Sequence, residues 1–327
     1  MRPLLRVGLV GAGWVTQHHL PAWQAIGDRA RVVAITDPDA ARARERAEVF
    51  GIAGVFGSLP EMLAAGGIDA LDIAAPREAH AGLVRLAAAH GVPVLCQKPL
   101  APTLAEAESL ASEVHGHIRL MVHENWRFRP VYRLAAQWLR EGRIGTVLQA
   151  QMTLLSSGLL PDAQGRLPAL ARQPFIATLD RALVMEILIH HIDTLRFLLG
   201  ELQLVQARLG RACEAMRGED RAAISFETSD GAPVHLLANL CVHGEPPAPL
   251  DALLLIGERG TIRLDGNTLH CSGAAPAEQV FDLAAGYAAS YAATIAHFVD
   301  ALASGQAFET DPQDNLRTLA LVENIYR

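Results

Sequence analysis

Apolar positions in the first 122 residues fall into short continuous runs, and helical patterns separate these runs. Such runs are typical of strands buried on both faces, and helical crossovers between them indicate a parallel sheet. The pattern predicts five strands, at 5–10, 31–36, 70–74, 93–96 and 118–122, and helices at 14–26, 39–50, 78–90 and 102–114. Residues 1–122 are therefore predicted to form an α/β domain, a doubly wound parallel sheet of Rossmann type.

The alternation of strand and helix patterns ends after residue 122. An irregular segment at 156–179 is long enough to suggest a functional site. Helices are predicted at 130–141, 183–199, 284–304 and 313–326, and strands at 146–155, 202–213, 222–228, 234–242, 252–256 and 261–264. Successive strands with short turns predict a large, mainly antiparallel open sheet. Residues 123–327 are therefore predicted to form an α+β domain for substrate binding and oligomerisation.

Composition narrows the classes of protein to consider. Half of the residues are hydrophobic and the net charge is −7, which argues against nucleic-acid binding and against a polybasic membrane patch. The four scattered cysteines are typical of reduced thiols, so a cytoplasmic location is predicted. A half-apolar sheet face commonly finds a partner, and we expect a homodimer or homotetramer.

A glycine cluster ends the first predicted strand and opens the first predicted helix. Gly11 and Gly13 allow a sharp turn and a close approach to a pyrophosphate, which then lies on the helix N-terminus. The third small position of the motif is occupied by Thr16. Glycine clusters also mark ordinary turns, but the strand–helix context indicates dinucleotide binding. The predicted site consists of Gly8, Gly11, Gly13, Trp14 and Val15.

Asp37 ends the second predicted strand, where an acidic side chain can bind the adenosine ribose hydroxyls and repel a 2′-phosphate. The alternative is that Asp37 caps the helix that begins near Asp39. Arg42 and Arg44 follow one turn later and could serve a 2′-phosphate. NAD is therefore the predicted cofactor, with NADP as the alternative.

Five motifs occur in an order and spacing that together are specific: the glycine cluster with His18 and His19, then 75–80, 96–100, 125–128 and 186–200. On these motifs the chain resembles the glucose–fructose oxidoreductase and inositol 2-dehydrogenase family. The resemblance implies a Rossmann domain, an open antiparallel sheet that forms the substrate floor, and oxidation or reduction of sugars, inositols or related polyols. The chain departs from the family pattern at Gln97, Glu186 and Leu188, where most members have Glu, Asp and Gly.

Lys98 is the only lysine of the chain. A compact amine that changes its protonation state is not interchangeable with arginine, although a surface lysine is the alternative. At the carboxyl end of the fourth predicted strand its amine would bind the reacting oxygen and relay a proton. The cofactor is expected to border this position through Ala75, Pro76, His80, Gln97, Lys98 and Asn125. For His80 the alternative is an ordinary residue at the start of a helix.

Glu186 and His190 are spaced i, i+4 on a predicted helix and share a face. The resemblance implies that His190 is a general acid or base, that Glu186 orients its ring, and that both contact substrate. The alternative is a hydrogen-bonded histidine in the core. Asp193 could complete a three-ligand metal site, but no second histidine follows at i+4, and no metal is predicted. Arg127 and Arg172 are further substrate-contact candidates, and interdomain hydrogen bonding is the alternative for Asn125 and Arg127.

The sequence therefore predicts reversible hydride transfer between nicotinamide and a carbinol carbon of a polyhydroxylated substrate. Two alternatives stay open. One is a lyase or glycosidase that retains NAD through a transient oxidation. The other is a regulator that binds the dinucleotide without chemistry.

Overall fold

The computed structural model describes residues 4–327, and its contacts divide the chain into two compact units. The first unit contains the described residues up to Arg129 together with Tyr287–Ala320. The second contains Pro130–Gly286 and Leu321–Arg327. This division differs from a linear boundary after residue 122, because parts of the C-terminal helices belong to the first unit. The boundary at residue 122 stays a prediction.

The first unit contains a six-stranded parallel sheet in the order β3-β2-β1-β4-β5-β6. The strands are β1 (Leu5–Val10), β2 (Ala30–Thr36), β3 (Gly54–Phe56), β4 (Ala70–Ile73), β5 (Val94–Gln97) and β6 (Leu120–His123). The strand order reverses between β1 and β4, which is the topological switch point of a Rossmann sheet. The predicted fold of this region is confirmed.

Helices connect these strands: α1 (Thr16–Ala25), α2 (Ala40–Phe50), α3 (Leu59–Ala65), α4 (Arg77–Ala89) and α5 (Leu104–Val114). The sequence pattern does not predict β3 and α3, because three strand residues are too few to show a period. A local signal for α3 does exist, since the Ser58 hydroxyl caps its N-terminus by accepting the Glu61 N–H at 3.3 Å.

The second unit contains an eight-stranded sheet in the order β14-β13-β12-β11-β7-β10-β9-β8. All neighbouring strands are antiparallel except β7 and β10, so the predicted, mainly antiparallel sheet is confirmed. The sequence pattern does not predict the short strands β13 and β14. The elements after β6 are α6 (Pro130–Arg140), β7 (Val147–Leu155), α7 (Pro168–Arg172), α8 (Ile189–Leu199), β8 (Leu202–Gly210), β9 (Arg221–Thr228), β10 (Pro233–Asn239), β11 (Leu250–Gly257), β12 (Gly260–Asp265), β13 (Thr268–Gly273), β14 (Ala277–Val280), α9 (Leu283–Ser304) and α10 (Pro312–Ile325).

The predicted helix at 183–199 is not one continuous α-helix. Its first part, Leu183–Leu188, is a π-helix, and α8 begins only at Ile189. The N–H of Ile189 reaches back to the carbonyl of Val184, which is the wide spacing of a π-turn. Such turns are rare and are frequent at functional sites. Across residues 4–327, no helix has both the length and the hydrophobicity that crossing a bilayer requires.

The core of the first unit joins sheet residues to residues from the C-terminal helix α9. Leu9, Ile35 and Leu95 of the sheet are fully buried, and Phe298 of α9 belongs to the same hydrophobic cluster. The Phe298 ring stacks on that of Phe308 with their centroids 5.5 Å apart. Hydrophobic burial therefore attaches α9 to the Rossmann sheet.

Replacing Phe298 by alanine should lower the free energy of unfolding by about 3–5 kcal/mol, because a fully buried aromatic ring leaves a cavity. The matched control is Phe175→Ala, since the Phe175 side chain is 52% exposed and should cost less than about 1 kcal/mol. Denaturant titration followed by circular dichroism measures both changes. Equal losses in the two variants would contradict the assignment of α9 to this core.

Candidate active site

The carboxyl ends of five parallel strands bring the predicted residues of the first unit to one edge of its sheet. Gly11 follows β1, Asp37 follows β2, Ala75 follows β4, Lys98 follows β5, and Asn125 lies just beyond β6. In doubly wound sheets this edge, at the switch point, is where ligands bind. The parallel order of the strands is what gathers these residues from distant parts of the sequence.

The glycine loop between β1 and α1 has two glycines with different roles in the fold. Gly11 has a φ of +106°, and a Cβ there would lie 2.5 Å from the Ala74 carbonyl oxygen. A Cβ on Gly13 would meet no atom within 4 Å. The Thr16 hydroxyl donates to the Gly13 carbonyl at 2.7 Å, which ties the loop to the first turn of α1.

The N-terminus of α1 has the features that a pyrophosphate requires. Within residues 4–327, the N–H groups of Gly13, Trp14 and Val15 make no hydrogen bond to another backbone group. These donors lie at the positive end of a helix, where anions bind well. The open space at Gly13 also permits close approach of a ligand. The loop therefore fits the diphosphate of a dinucleotide.

Asp37 follows β2 and connects it to the glycine loop by a hydrogen bond. Its carboxylate accepts the Ala12 N–H and the Asp39 N–H, both at 2.7 Å. The N-cap of α2 is Asp39, which accepts from Ala41 and Arg42, so the alternative of Asp37 as that cap is wrong. Hydrogen bonds from Arg42 hold the pKa of Asp39 below its ordinary value. Asp37 is half-buried and still has acceptor capacity for a ribose.

Gln97 ends β5 and Lys98 follows it, and Gln97 contacts a buried polar cluster that the sequence pattern does not predict. Gln97 accepts the Lys98 backbone N–H at 3.1 Å, and its amide nitrogen lies 2.8 Å from His19 Nε2. His19 in turn contacts Asp72 at 2.8 Å, and both side chains are fully buried. The signal for this cluster was an aspartate within the apolar run of β4, because a buried carboxylate needs partners.

His80 connects the loops after β4 and β5. Its Nδ1 lies 2.8 Å from the Pro99 carbonyl oxygen, and its Nε2 lies 2.9 Å from the Ala75 carbonyl oxygen. The ring is buried, and burial lowers the pKa of His80. A neutral imidazole donates through one nitrogen only, so a single carbonyl receives its proton at a time. His80 lies in the first turn of α4, as the alternative has it, and its buried ring also connects the two loops that border Lys98.

Asn125 and Arg127 hydrogen-bond to residues of the C-terminal helices within the first unit. The Asn125 amide donates to the Ser290 hydroxyl at 2.7 Å. The Arg127 guanidinium pairs with Asp314 at 2.7 Å and is 4% exposed. These contacts support a structural role for both side chains, while their roles at the cofactor and the substrate stay predictions.

In the second unit, Glu186 and His190 are half-buried, and Arg172 is exposed at the end of α7. Glu186 lies in the π-helix and His190 in α8, so their spacing is not that of one regular helix. No group of three or more His, Cys, Asp or Glu side chains that could hold a metal ion occurs in the described part of the chain.

The residue beside His190 has a structural role. His191 Nε2 lies 2.9 Å from the Asp251 carboxylate, and the Tyr132 hydroxyl donates to the same carboxylate at 2.6 Å. All three side chains are buried. His191 therefore holds α8 against the sheet and the helix α6.

The buried side chain of Glu219 and the half-buried side chain of Tyr326 hold the π-helix that carries Glu186. The Glu219 carboxylate accepts the N–H groups of Ala182 and Val184 at 3.3 and 3.0 Å. The Tyr326 hydroxyl donates to Glu219 at 2.5 Å and accepts the Met185 N–H at 3.1 Å. Burial raises the pKa of Tyr326 far above its ordinary value. The backbone donors at the start of this helix are thereby satisfied without solvent.

Comparison with protein families agrees with this architecture. Residues 5–123 match the family described as an oxidoreductase family with an NAD-binding Rossmann fold. Residues 132–263 match the GFO/IDH/MocA C-terminal domain. The chain belongs to the GFO/IDH/MocA oxidoreductase family. The predicted resemblance is thus confirmed, and the protein is an NAD-binding oxidoreductase.

Individual members of the family align over nearly the whole chain. A D-apiose dehydrogenase of Paraburkholderia graminis is 32% identical, over 97% of this chain and 86% of the relative. An inositol 2-dehydrogenase of Saccharopolyspora erythraea is 27% identical, over 99% and 93%. A crystal structure of an Agrobacterium radiobacter oxidoreductase in complex with NAD+, L-tartaric acid and magnesium is 30% identical, with a TM-score of 0.91 over 98% of this chain and 95% of that one.

Replacing Gly11 by alanine should lower the free energy of unfolding of the cofactor-free protein by about 2–4 kcal/mol, because the new Cβ combines a positive φ with a clash at the Ala74 carbonyl. Gly13→Ala is the matched control and should change it by less than about 0.5 kcal/mol, since a Cβ there meets no neighbour. Thermal and denaturant unfolding without NAD measures both effects. A destabilised Gly13→Ala variant would contradict the conclusion that the fold leaves open space at Gly13.

Proposed function

We propose that this protein transfers a hydride between NAD and a carbinol carbon of a sugar or related polyol, and that Lys98 handles the proton of the reacting oxygen. The observation that carries the proposal is the position of the only lysine of the chain. It directly follows β5 at the ligand-binding edge of the Rossmann sheet, on a backbone that Gln97 hydrogen-bonds.

The cofactor is expected to lie along the glycine loop. Its diphosphate would accept from the N–H groups of Gly13, Trp14 and Val15, and its ribose hydroxyls would donate to Asp37. Arg42 is paired with Asp39 at 2.9 Å, which disfavours a role at a 2′-phosphate. NAD is therefore favoured over NADP.

The chemistry requires one hydride and one proton to leave the substrate. Bound NAD supplies the hydride acceptor, C4 of its nicotinamide ring. The neutral Lys98 amine accepts the proton of the carbinol O–H while its C–H bond breaks, and a carbonyl forms. In the reverse direction the Lys98 ammonium returns that proton to the oxygen.

The substrate is proposed to be an aldose rather than an inositol, because the D-apiose dehydrogenases are more similar to this chain, at 32% and 31% identity, than the inositol 2-dehydrogenases, at 27–29%. A screen of aldoses and inositols with NAD and NADP tests whether aldoses are the better substrates, and the formation of reduced cofactor is the measured quantity. Substrate consumption without reduced cofactor would favour the lyase or glycosidase alternative. The roles of Glu186, His190 and Arg172 at the substrate stay predictions that the same assay can examine through single substitutions.

Replacing Lys98 by methionine should lower kcat by about 10²–10⁴-fold, because the acid–base group is lost while the length of the side chain is kept. Lys98→Arg should lose comparable activity, since a guanidinium keeps the charge but does not release its proton. The dissociation constant for NAD should change less than threefold in both variants. Steady-state kinetics and fluorescence titration measure the two quantities, and full turnover in Lys98→Met would remove Lys98 from the mechanism.

We also propose that two copies associate through the exposed face of the eight-stranded sheet. Leu237 of β10 is 38% exposed, and Leu250 of β11 is 41% exposed. Leu237 pairs with Ala223 and Thr153 across the sheet, and Leu250 pairs with Leu155. These side chains share a face, so they form one apolar patch suited to a second copy of the same patch.

Leu237→Glu should shift the protein from dimer or tetramer towards monomer, because it places a charge within this apolar patch. The matched control is Val49→Glu, a substitution of a 66% exposed residue on α2, which should leave the assembly unchanged. Sedimentation velocity over a concentration series measures the association state. A monomeric parent protein at all concentrations would refute the proposal.

A further inference from the structure

A polar chain that crosses three elements of the first unit ends at Gln97, the residue before Lys98. It begins at Asp72 in β4, whose carboxylate is fully buried. One carboxylate oxygen accepts the Trp23 indole N–H at 2.7 Å and contacts His19 Nδ1 at 2.8 Å. Both partners come from α1. From His19 the chain continues to Gln97 at the end of β5.

The orientation of the Gln97 amide follows from its surroundings. Its oxygen accepts the Lys98 N–H at 3.1 Å, so its nitrogen points the other way. That nitrogen lies 2.8 Å from His19 Nε2 and 3.4 Å from His123 Nδ1. The opposite orientation would place an NH₂ group against the Lys98 N–H, a contact between two donors.

The amide orientation determines where the histidine protons lie. An amide nitrogen only donates, so the facing nitrogens of His19 and His123 must both present lone pairs. The proton of His19 is then on Nδ1, where it is donated to Asp72. His19 is consequently neutral, and a buried carboxylate receives two N–H donors without a second charge in the chain.

A glutamate at position 97 would not fit the same protons. A carboxylate accepts only, so His19 would need a proton on Nε2 while Asp72 still required the one on Nδ1. The ring would become an imidazolium between two carboxylates. A negative charge would also lie next to the residue that carries the reacting amine.

We propose that Gln97 is a positioning residue for Lys98: its amide fixes the strand end that bears the lysine and keeps His19 neutral with its proton directed at Asp72. The proposal rests on the proposed function of Lys98. In this role the side chain of residue 97 donates to two imidazole nitrogens and accepts one backbone N–H. An amide group makes all three hydrogen bonds. Residue 97 itself then places no carboxylate next to Lys98.

The first test is nuclear magnetic resonance of the parent protein labelled with ¹⁵N-histidine, in which His19 is assigned through the His19→Gln variant. The ¹⁵N shifts of the ring should show a neutral His19 with its proton on Nδ1 at neutral pH. In Gln97→Glu both ring nitrogens should be protonated. A protonated Nε2 in the parent protein overturns the proposal by itself, so the result does not depend on the folding of a variant.

The second test is the pH dependence of kcat/KM. In Gln97→Glu the acidic limb should move up by at most about one pH unit, because the added carboxylate adjoins the lysine and stabilises its ammonium form, while the imidazolium of His19 offsets part of this effect. Gln24→Glu, at an exposed position of α1, is the matched control and should leave the profile unchanged. Gln97→Met should lower kcat without moving the limb, since it removes the hydrogen bonds and adds no charge.

The outcomes separate the two proposals. Full turnover in Lys98→Met with the expected His19 spectrum would reject the role of Lys98 and keep the protonation assignment. Loss of turnover in Lys98→Met with an unchanged spectrum and pH profile in Gln97→Glu would keep the role of Lys98. It would reject the positioning role of Gln97.

Discussion

A carboxylate in the middle of a strand that is buried on both faces constrains how the first unit packs. Asp72 needs donors, and α1 provides them through His19 and Trp23. The same helix presents the glycine loop at its N-terminus, and His19 also contacts Gln97, the last residue of β5. The loop that fits the dinucleotide and the strand end that bears the lysine are therefore held by one buried set of hydrogen bonds.

Some glycines of the glycine cluster are required by the fold, and one is explained by ligand binding. A Cβ on Gly8 would collide with the side chains of Met62, Ile68 and Leu71, and one on Gly11 with the Ala74 carbonyl. Both positions need glycine whether or not a dinucleotide binds. Only Gly13 has open space, so its lack of a side chain has no explanation inside the fold and is best understood through close approach of a ligand. A glycine motif thus combines folding requirements with binding requirements, which sequence alone does not separate.

The sequence predicts the Rossmann sheet because each long strand is a continuous apolar run, and it predicts the antiparallel sheet because the turns between strands are short. The brief strands β3, β13 and β14 lack enough residues to show a period. The π-helix that carries Glu186 depends on Glu219 and Tyr326, which lie far away in the sequence. The position of Lys98 could be predicted from its strand, whereas its polar support could not, since those partners come from three separate elements.

The groups around Lys98 differ in their capacity to move a proton. His19 is bound on both ring nitrogens, by Asp72 and Gln97, and His80 lies between two backbone carbonyls. Gln97 does not titrate. Apart from histidine, the other basic side chains of the protein are all arginine, so Lys98 carries the one side-chain amine of the sequence. Unlike a guanidinium, an amine can release its proton. Under the proposed role of Lys98, neighbours that are already hydrogen-bonded to one another leave the lysine to exchange its proton with the substrate oxygen.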